Sequence, residues 1–463
     1  MNIQINIENF KSIKNSRIEL KPGLNILIGP NGAGKTNIMS SLKFLRDTLT
    51  QGVGLAIAKG GGPSRNYYRG KDVIKFQISL DYGQRTYKKR KYNSVLKWSL
   101  EIAQKGKEKI ATIIKERIEI EYFKENEPLK IFELEYNRNN IEKPISSINF
   151  YNREYIGKDF FERFLFNNKE KTKDKLFEEL EENLKKISNE FKKNGDRSFL
   201  AYLERYDYKI SDIISFFSGL NEYNIIPNRA RLATEQLPYS KMEPDGYGLS
   251  EVIDTLRKSN FRKLQYSYFN DNDRGYGNFE YDRFYRPYQV RRNERPFISA
   301  LENINKELSA AVKPIISIDI DIDPTNGRRF VVFKSKDYKF FPDEVSDGTI
   351  KWVCIITSIF VGFSRIFLLE EPENFLHPWM QQKLVQIIRE QSKLDNSIYI
   401  LTSHSTTLLN SAYPNEVIVV SQNENGTQSE RIDNQSEIYD FLENSEFRLG
   451  DLWVSGGIGA IPE

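Results

Sequence analysis

The sequence predicts an α/β fold in which a parallel or mixed sheet runs on into an antiparallel β lobe, with a mainly helical insertion dividing the chain. Residues 24–28 form a short apolar run that ends in a Gly/Pro/Asn cluster and gives way to helical spacing over 37–49, a strand–loop–helix unit. Short strand patterns separated by polar turns then repeat from 73 to 150, as an antiparallel meander does. Alternating helix and strand patterns resume after residue 315 and continue to about 420.

Ile3, Ile5 and Ile7 alternate with polar residues over 2–8, the period of a half-buried strand. The meander strands are expected at 73–80, 95–103, 117–122 and 131–136. From about 155 to 220 the chain is rich in Lys and Glu, and Leu176, Leu180, Leu184, Ile187 and Phe191 fall on one face of an amphipathic helix or helical hairpin. Residues 261–296, crowded with Tyr, Asn, Asp and Arg, lack periodicity and read as a loop-rich insertion. Strand signals return at 315–322 and 329–333. The expected organisation is therefore 1–152, a helical insertion over 153–314, and 315–463.

At 463 residues the chain has the length of two or three domains. Lysine and arginine total 68 against 64 for aspartate and glutamate, a net charge of +4, so global charge points to neither nucleic acid nor membrane and any such partner needs a local patch. Cys354 is the single cysteine, which excludes an internal disulfide and a cysteine-based zinc site. The opening residues lack the apolar run of a secretory signal, and no apolar stretch of about 18 residues occurs, so a cytoplasmic protein is expected.

Gly29-Pro30-Asn31-Gly32-Ala33-Gly34-Lys35-Thr36 satisfies G-x-x-x-x-G-K-[ST] between a strand and a helix. Glycines let backbone N–H groups converge on phosphate oxygens, and the helix N-terminus adds positive charge. Lys35 reaches the β and γ phosphates, and the Thr36 hydroxyl ligates Mg²⁺. Asn31, Gly32, Ala33, Gly34, Lys35, Thr36 and Asn37 are the candidate nucleotide-binding residues.

A second apolar strand, 366–369, ends in Glu370-Glu371-Pro372-Glu373. Adjacent carboxylates at a strand end suit NTP hydrolysis, with Glu370 on the metal and Glu371 as general base for the attacking water. A third strand, 397–401, ends in Thr402-Ser403-His404, where a histidine can hydrogen-bond the γ-phosphate. His377, before Pro378, reads as the start of a helix. Ser346 and Gly348 precede an apolar helix and offer either a second anion cradle or an ordinary N-cap.

With these motifs in this order the sequence resembles the ATP-binding-cassette class of P-loop ATPases, in the branch shared by RecF, the SMC proteins and the OLD-family ATPases. The resemblance rests on NFKSI at 9–13, GPNGAGKTN at 29–37, SDGT at 346–349, LLEEPENFLHP at 368–378 and LTSHS at 401–405. It implies an ATPase head fold, ATP and Mg²⁺ as ligands, and a homodimer or larger homo-oligomer in which two heads sandwich two ATPs. Ser346 and Gly348 of one protomer would then contact the γ-phosphate held by the other. Glu370 stands where most cassettes carry Asp, and Ser-Asp-Gly replaces Ser-Gly-Gly, both as in the OLD-like branch. Arg69 resembles the arginine loop of SMC heads, beside its reading as a solvated turn residue. Residues 449–457 (LGDLWVSGG) and 243–249 (EPDGYGL) resemble segments of stand-alone ATPases of this branch, with no role evident from sequence.

OLD enzymes carry a TOPRIM nuclease after the histidine, and the 59 residues following His404 do not hold one. Asp319, Asp321 and Asp323 alternate with isoleucine, as the polar face of an antiparallel strand does. No nuclease domain is expected. By this resemblance the chain is akin to sensor or scaffold subunits of bacterial anti-phage systems such as Septu and PARIS, which act beside a separate nuclease or toxin effector. A scaffold that hydrolyses slowly and holds a partner in its bound state is a close variant. The competing reading is a RecF-like DNA-repair ATPase clamping duplex DNA, for which the basic runs Lys88-Lys89-Arg90-Lys91 and 283–295 would serve.

Overall fold

The computed structural model describes residues 2–87, 90–105, 110–124, 127–137, 145–151, 175, 178–179, 182, 196–203, 213–214, 216–235, 241–258, 300–361, 364–432 and 436–458. The strands are β1 (Asn2–Phe10), β2 (Ile13–Leu20), β3 (Gly23–Ile28), β4 (Val73–Tyr87), β5 (Arg90–Lys105), β6 (Ile110–Lys124), β7 (Glu127–Asn137) and β8 (Ile145–Phe150). Further along come β9 (Leu220–Tyr223), β10 (Ser317–Ile322), β11 (Arg329–Lys334), β12 (Lys339–Phe340), β13 (Ile366–Glu370), β14 (Ile398–Thr402), β15 (Val417–Asn423) and β16 (Gly426–Arg431). By packing, the chain forms one unit from 1–220, 364–368 and 392–463 and another from 221–363 and 369–391. These boundaries differ from the segments read from sequence, and the chain passes between the units within β13.

In the first unit the sheet order runs β8-β7-β6-β5-β4-β1-β2-β16-β15-β3-β14-β13. β3 pairs in parallel with both β14 and β15, so strand neighbours cover both its edges and its apolar run is buried. From β4 to β8 every neighbour is antiparallel, which is the expected meander. The α/β class with a mixed sheet and an antiparallel lobe is thus observed. The lobe strands exceed their predicted lengths because ladder pairing continues beyond the apolar alternation, as at Tyr87 opposite Arg90.

The helix Lys35–Gln51 lays Ile38, Met39, Leu42, Leu45 and Leu49 on the sheet, where truncating such a side chain to alanine costs about 2–5 kcal/mol. Phe10, Phe44 and Phe76 join helix and sheet with ring centroids 5.3 to 5.8 Å apart. In the lobe, Glu116 is fully buried and accepts from Trp98 Nε1 (2.8 Å), Ser198 Oγ (2.6 Å) and the Phe199 and Leu200 N–H groups (2.6 and 3.2 Å). Burial pushes its carboxyl up against the opposing effect of these donors. The carboxylate fastens the residues that re-enter the lobe to β6.

The second unit holds the antiparallel sheet β10-β11-β12 and the helices Leu249–Lys258, Ala300–Ala311 and Asp347–Val361. The last is buried on nearly all sides, and Trp352 Nε1 donates to the Glu307 carbonyl at 3.3 Å. Asp319 pairs with Lys334 and Arg257, and Asp321 with Lys339, so this Asp-x-Asp is the ion-paired polar face of β10. Among the described residues no group of three or more metal-ligating side chains converges, and no helix is long and apolar enough to cross a membrane. Leu176, Leu180, Leu184, Ile187 and Phe191 of the expected helix, the loop-rich segment 261–296, Lys88 and Lys89 of the first basic run, and the run 283–295 lie outside the described residues.

Candidate functional site

The glycine loop leaves β3 at Ile28 and enters its helix at Lys35. Lys35 is buried, and its Nζ donates to the Gly29 carbonyl at 2.7 Å and the Pro30 carbonyl at 3.1 Å. The ammonium is thus folded onto the carbonyls of its own loop. Asn31, Gly32 and Thr36 are exposed, Ala33 is buried and Asn37 half-buried. Gly34 caps the helix in the left-handed region at φ 104°, and a Cβ there would lie 2.2 Å from Thr427 Oγ1. Asn37 Nδ2 donates to Ser12 Oγ at 2.6 Å, and Ser12 Oγ shares a hydrogen bond with Thr427 Oγ1 at 2.7 Å. Ser12, of the NFKSI segment, and Thr427, at the start of β16, thus brace the loop. Sequence reasoning named NFKSI without a role and missed Thr427, because nothing local marks a contact formed 415 residues away.

Thr402 stands opposite Leu27 in the parallel β3–β14 register, and the Ser403 N–H donates to the Leu27 carbonyl at 3.2 Å. The carboxyl ends of the two strands therefore coincide, which brings half-buried His404 to the edge carrying the phosphate loop. Ser405 caps the short helix after it through the Leu408 N–H. The LGDLWVSGG segment docks here too: Asn410 Oδ1 accepts from the Gly450 N–H at 2.7 Å, and the Trp453 ring lies 6.3 Å from that of His404. β13 follows β14 in the sheet and carries Glu370 at its end.

Within the second unit, Glu371 opens a tight turn and adopts φ 42°, a left-handed conformation that costs a non-glycine residue about 1 kcal/mol or more. Its carboxylate accepts from Asn374 Nδ2 at 2.8 Å, and its carbonyl accepts from the Asn374 N–H at 3.2 Å and Lys351 Nζ at 2.8 Å. Ser346 Oγ accepts from the Thr349 N–H at 3.2 Å, the geometry of an N-cap on the helix Asp347–Val361. Gly348 abuts the same turn so closely that a Cβ would stand 2.4 Å from the Phe375 carbonyl oxygen. Burial lowers the Lys351 ammonium to about 8 against the pull of Glu373 and Glu371. The guanidinium of Arg231 holds the segment before the helix, donating to Pro342 O (3.0 Å) and Val345 O (2.9 Å) and pairing with Asp347 (2.6 Å). The EPDGYGL turn backs this arginine, with Asp245 paired to Arg229 at 2.8 Å and Gly246 against Ala230 and Cys354. His377 Nδ1 accepts from the Trp379 N–H at 3.2 Å, the helix-start reading.

Beside Asn37 lies a cavity of about 710 Å³, lined by Lys11, Arg65, Tyr67, Arg69 and Lys71 among others. Burial and neighbouring Lys43 lower the Lys11 ammonium. Arg69, which sequence alone also allowed as a solvated turn residue, is among the residues lining this cavity.

A family model described as "AAA domain, putative AbiEii toxin, Type IV TA system" matches residues 24–410. The chain belongs to this family. Its phosphate loop, strand order and family membership make it a P-loop ATPase with an α/β head fold. Curated relatives of the family member include an uncharacterized protein of Methanocaldococcus jannaschii, 28% identical over 94 residues. Two others are the DNA double-strand break repair Rad50 ATPase of Methanopyrus kandleri, 44% identical over 39 residues, and the DNA replication and repair protein RecF of Moorella thermoacetica, 45% over 42 residues. The matches cover 20%, 8% and 9% of this chain and 12%, 4% and 11% of the relatives' own lengths. Among solved structures, an SMC head bound to the C-terminal winged-helix domain of ScpA is 12% identical, with TM-score 0.46 over 94% of this chain and 98% of that one. The SMC head domain from Thermotoga maritima is 11% identical, with TM-score 0.38 over 94% of this chain and all of that one.

Proposed function

We propose that the chain binds ATP with Mg²⁺, hydrolyses it, and serves in the bacterial cytoplasm as the sensor or scaffold subunit governing a separate nuclease or toxin in anti-phage defence. The observation that carries the ATPase reading is the phosphate loop with buried Lys35 turned onto the Gly29 and Pro30 carbonyls. In this reading residues 31–37 cradle the phosphates and Lys35 offsets the β and γ charge. The exposed Thr36 hydroxyl and the Glu370 carboxylate are hard oxygen donors of the kind Mg²⁺ takes, and the ion, when bound, neutralises charge on the phosphates. Glu371 accepts the proton of the attacking water, oriented by Asn374 on one carboxylate oxygen. His404 hydrogen-bonds the γ-phosphate. Ser346 and Gly348 meet the nucleotide of a second copy, giving a homodimer or a larger homo-oligomer. The division into 1–152, an insertion over 153–314 and 315–463 belongs to the same proposal, the outer segments forming the head.

Lys35→Ala is expected to lose ATP binding, measured with a fluorescent ATP analogue, and ordinary affinity in that variant would remove the site. Glu371→Gln is expected to bind ATP and turn it over at least about a hundredfold more slowly, the usual size of a general-base contribution. The effector reading predicts a stable complex with the product of a neighbouring gene when the two are co-expressed.

The cationic cavity favours a second reading, in which the head clamps duplex DNA. Lys11, Arg65, Arg69 and Lys71, against the single carboxylate of Asp72, give the cavity lining a local positive excess that the overall charge of +4 conceals. Duplex affinity falling steeply with salt, and falling further in Arg65→Ala with Arg69→Ala, would move the assignment to the clamp.

A further inference from the structure

Lys351 stands out as a buried cation that none of the sequence motifs includes. Only 3% of its surface is exposed, on a helix whose other side chains are mostly apolar and almost all buried. Enclosing an ammonium there is unfavourable unless partners offset the lost hydration, and a methionine would fill the same space without that cost. Its partners all belong to the turn after β13. Nζ donates to the Glu371 carbonyl at 2.8 Å, lies 5.9 Å from the Phe375 ring centre, and is drawn by the carboxylates of Glu373 and Glu371.

We propose that Lys351 is a positioning residue that fixes the Glu371 turn from the helix bearing Ser346 and Gly348. The inference rests on the reading of Glu371 as general base given above. Glu371 and Phe375 both hold left-handed backbone, at φ 42° and 68°, so the turn needs outside restraint to keep its shape. The helix supplies that restraint at two points: Gly348 seated on the Phe375 carbonyl, and Lys351 hydrogen-bonded to the Glu371 carbonyl. A helix tied at both points cannot shift without carrying the turn. An anion arriving at the Ser346–Gly348 end therefore sets the orientation of the carboxylate in the same protomer. Loss of the cation leaves the carbonyl with the longer Asn374 N–H bond and lets the carboxylate drift, and about 1 Å of drift can cost on the order of a hundredfold in rate.

The test is steady-state ATP turnover against ATP concentration for the parent, Lys351→Met, Lys351→Arg and Glu371→Gln, with thermal unfolding midpoints alongside. Lys351→Met keeps the volume and buries no unpaired charge; it is expected to lower kcat by about ten- to a hundredfold with KM within about twofold. Lys351→Arg, which restores a cationic donor, is expected to recover most of kcat. Parent-like kcat in Lys351→Met, while Glu371→Gln is inactive, overturns the role of Lys351 and leaves the ATPase reading intact. Equal losses in both Lys351 variants, with raised KM and lowered midpoints, reduce the residue to packing and likewise overturn it. Parent-like turnover in Glu371→Gln overturns the base assignment itself, and the inference with it.

Discussion

Lys35 and Lys351 are both buried and both end on backbone carbonyls, yet only the first was legible. Lys35 lies in a motif whose spacing points to its proposed task, whereas Lys351 follows an isoleucine and precedes a tryptophan in a mostly apolar helix and belongs to no motif. Its burial depends on the second unit folding around it. The charged groups facing it are Glu371 and Glu373; Glu307, on the neighbouring helix Ala300–Ala311, pairs with Lys383, and Asp347 with Arg231. Folding lowers the ammonium from an ordinary 10.5 to about 8, so between those values the unfolded chain binds more protons than the native one. Stability must then rise with pH across that window, because the unfavourable burial of charge fades as the native lysine is neutralised. The unfolding free energy of the parent relative to Lys351→Met should therefore improve by on the order of 2 kcal/mol between about pH 8 and pH 10. Turnover of the parent should fall over the same range as the donor loses its charge. Urea titrations at the two ends of the window check the first expectation, and a difference independent of pH would show that the lysine is not buried as a cation.

At the scale of elements, the apolar periods and glycine punctuation identified β1, β3, β13, β14 and the two helices that follow the phosphate loop and Ser346. What they did not reveal were the braces between elements. The Asn37–Ser12–Thr427 hydrogen bonds depend on β16 returning beside β2 at Gly426 opposite Ile13, a pairing set by the topology of the sheet. The seat of Gly348 on the Phe375 carbonyl depends likewise on how the helix Asp347–Val361 packs against the turn that follows β13. This second contact predicts the outcome of Gly348→Ala. The added Cβ would meet a backbone oxygen at 2.4 Å, which no side-chain rotation relieves, so helix tip or turn must move. ATP affinity at the phosphate loop should be unchanged while turnover falls about tenfold or more, since a small displacement of a catalytic group is enough for that. Equilibrium ATP binding and single-turnover hydrolysis separate the two effects, and parent-like hydrolysis would mean that the turn does not carry the base.

For the whole molecule, the decisive question is what meets the groups left in solvent. Asn31, Gly32, Thr36 and Ser346 are all exposed, although the proposed chemistry needs a site that excludes bulk water when the γ-phosphate is attacked. In the proposed reading a second copy of the chain, offering its own Ser346 and Gly348 to the nucleotide, would cover these groups, and assembly would then depend on ATP. Glu371→Gln, which keeps the nucleotide from being consumed, should have the mass of one chain without ATP and twice that mass with ATP and Mg²⁺ in light scattering. Adding Ser346→Arg to the same chain places a bulky cation at the start of the helix, and it should return the mass to that of one chain while leaving ATP bound to the phosphate loop. A doubled mass that survives Ser346→Arg would place the dimer contact elsewhere on the molecule. A mass indifferent to nucleotide would mean that assembly is constitutive, and that ATP acts within a standing complex by reorienting the Glu371 turn.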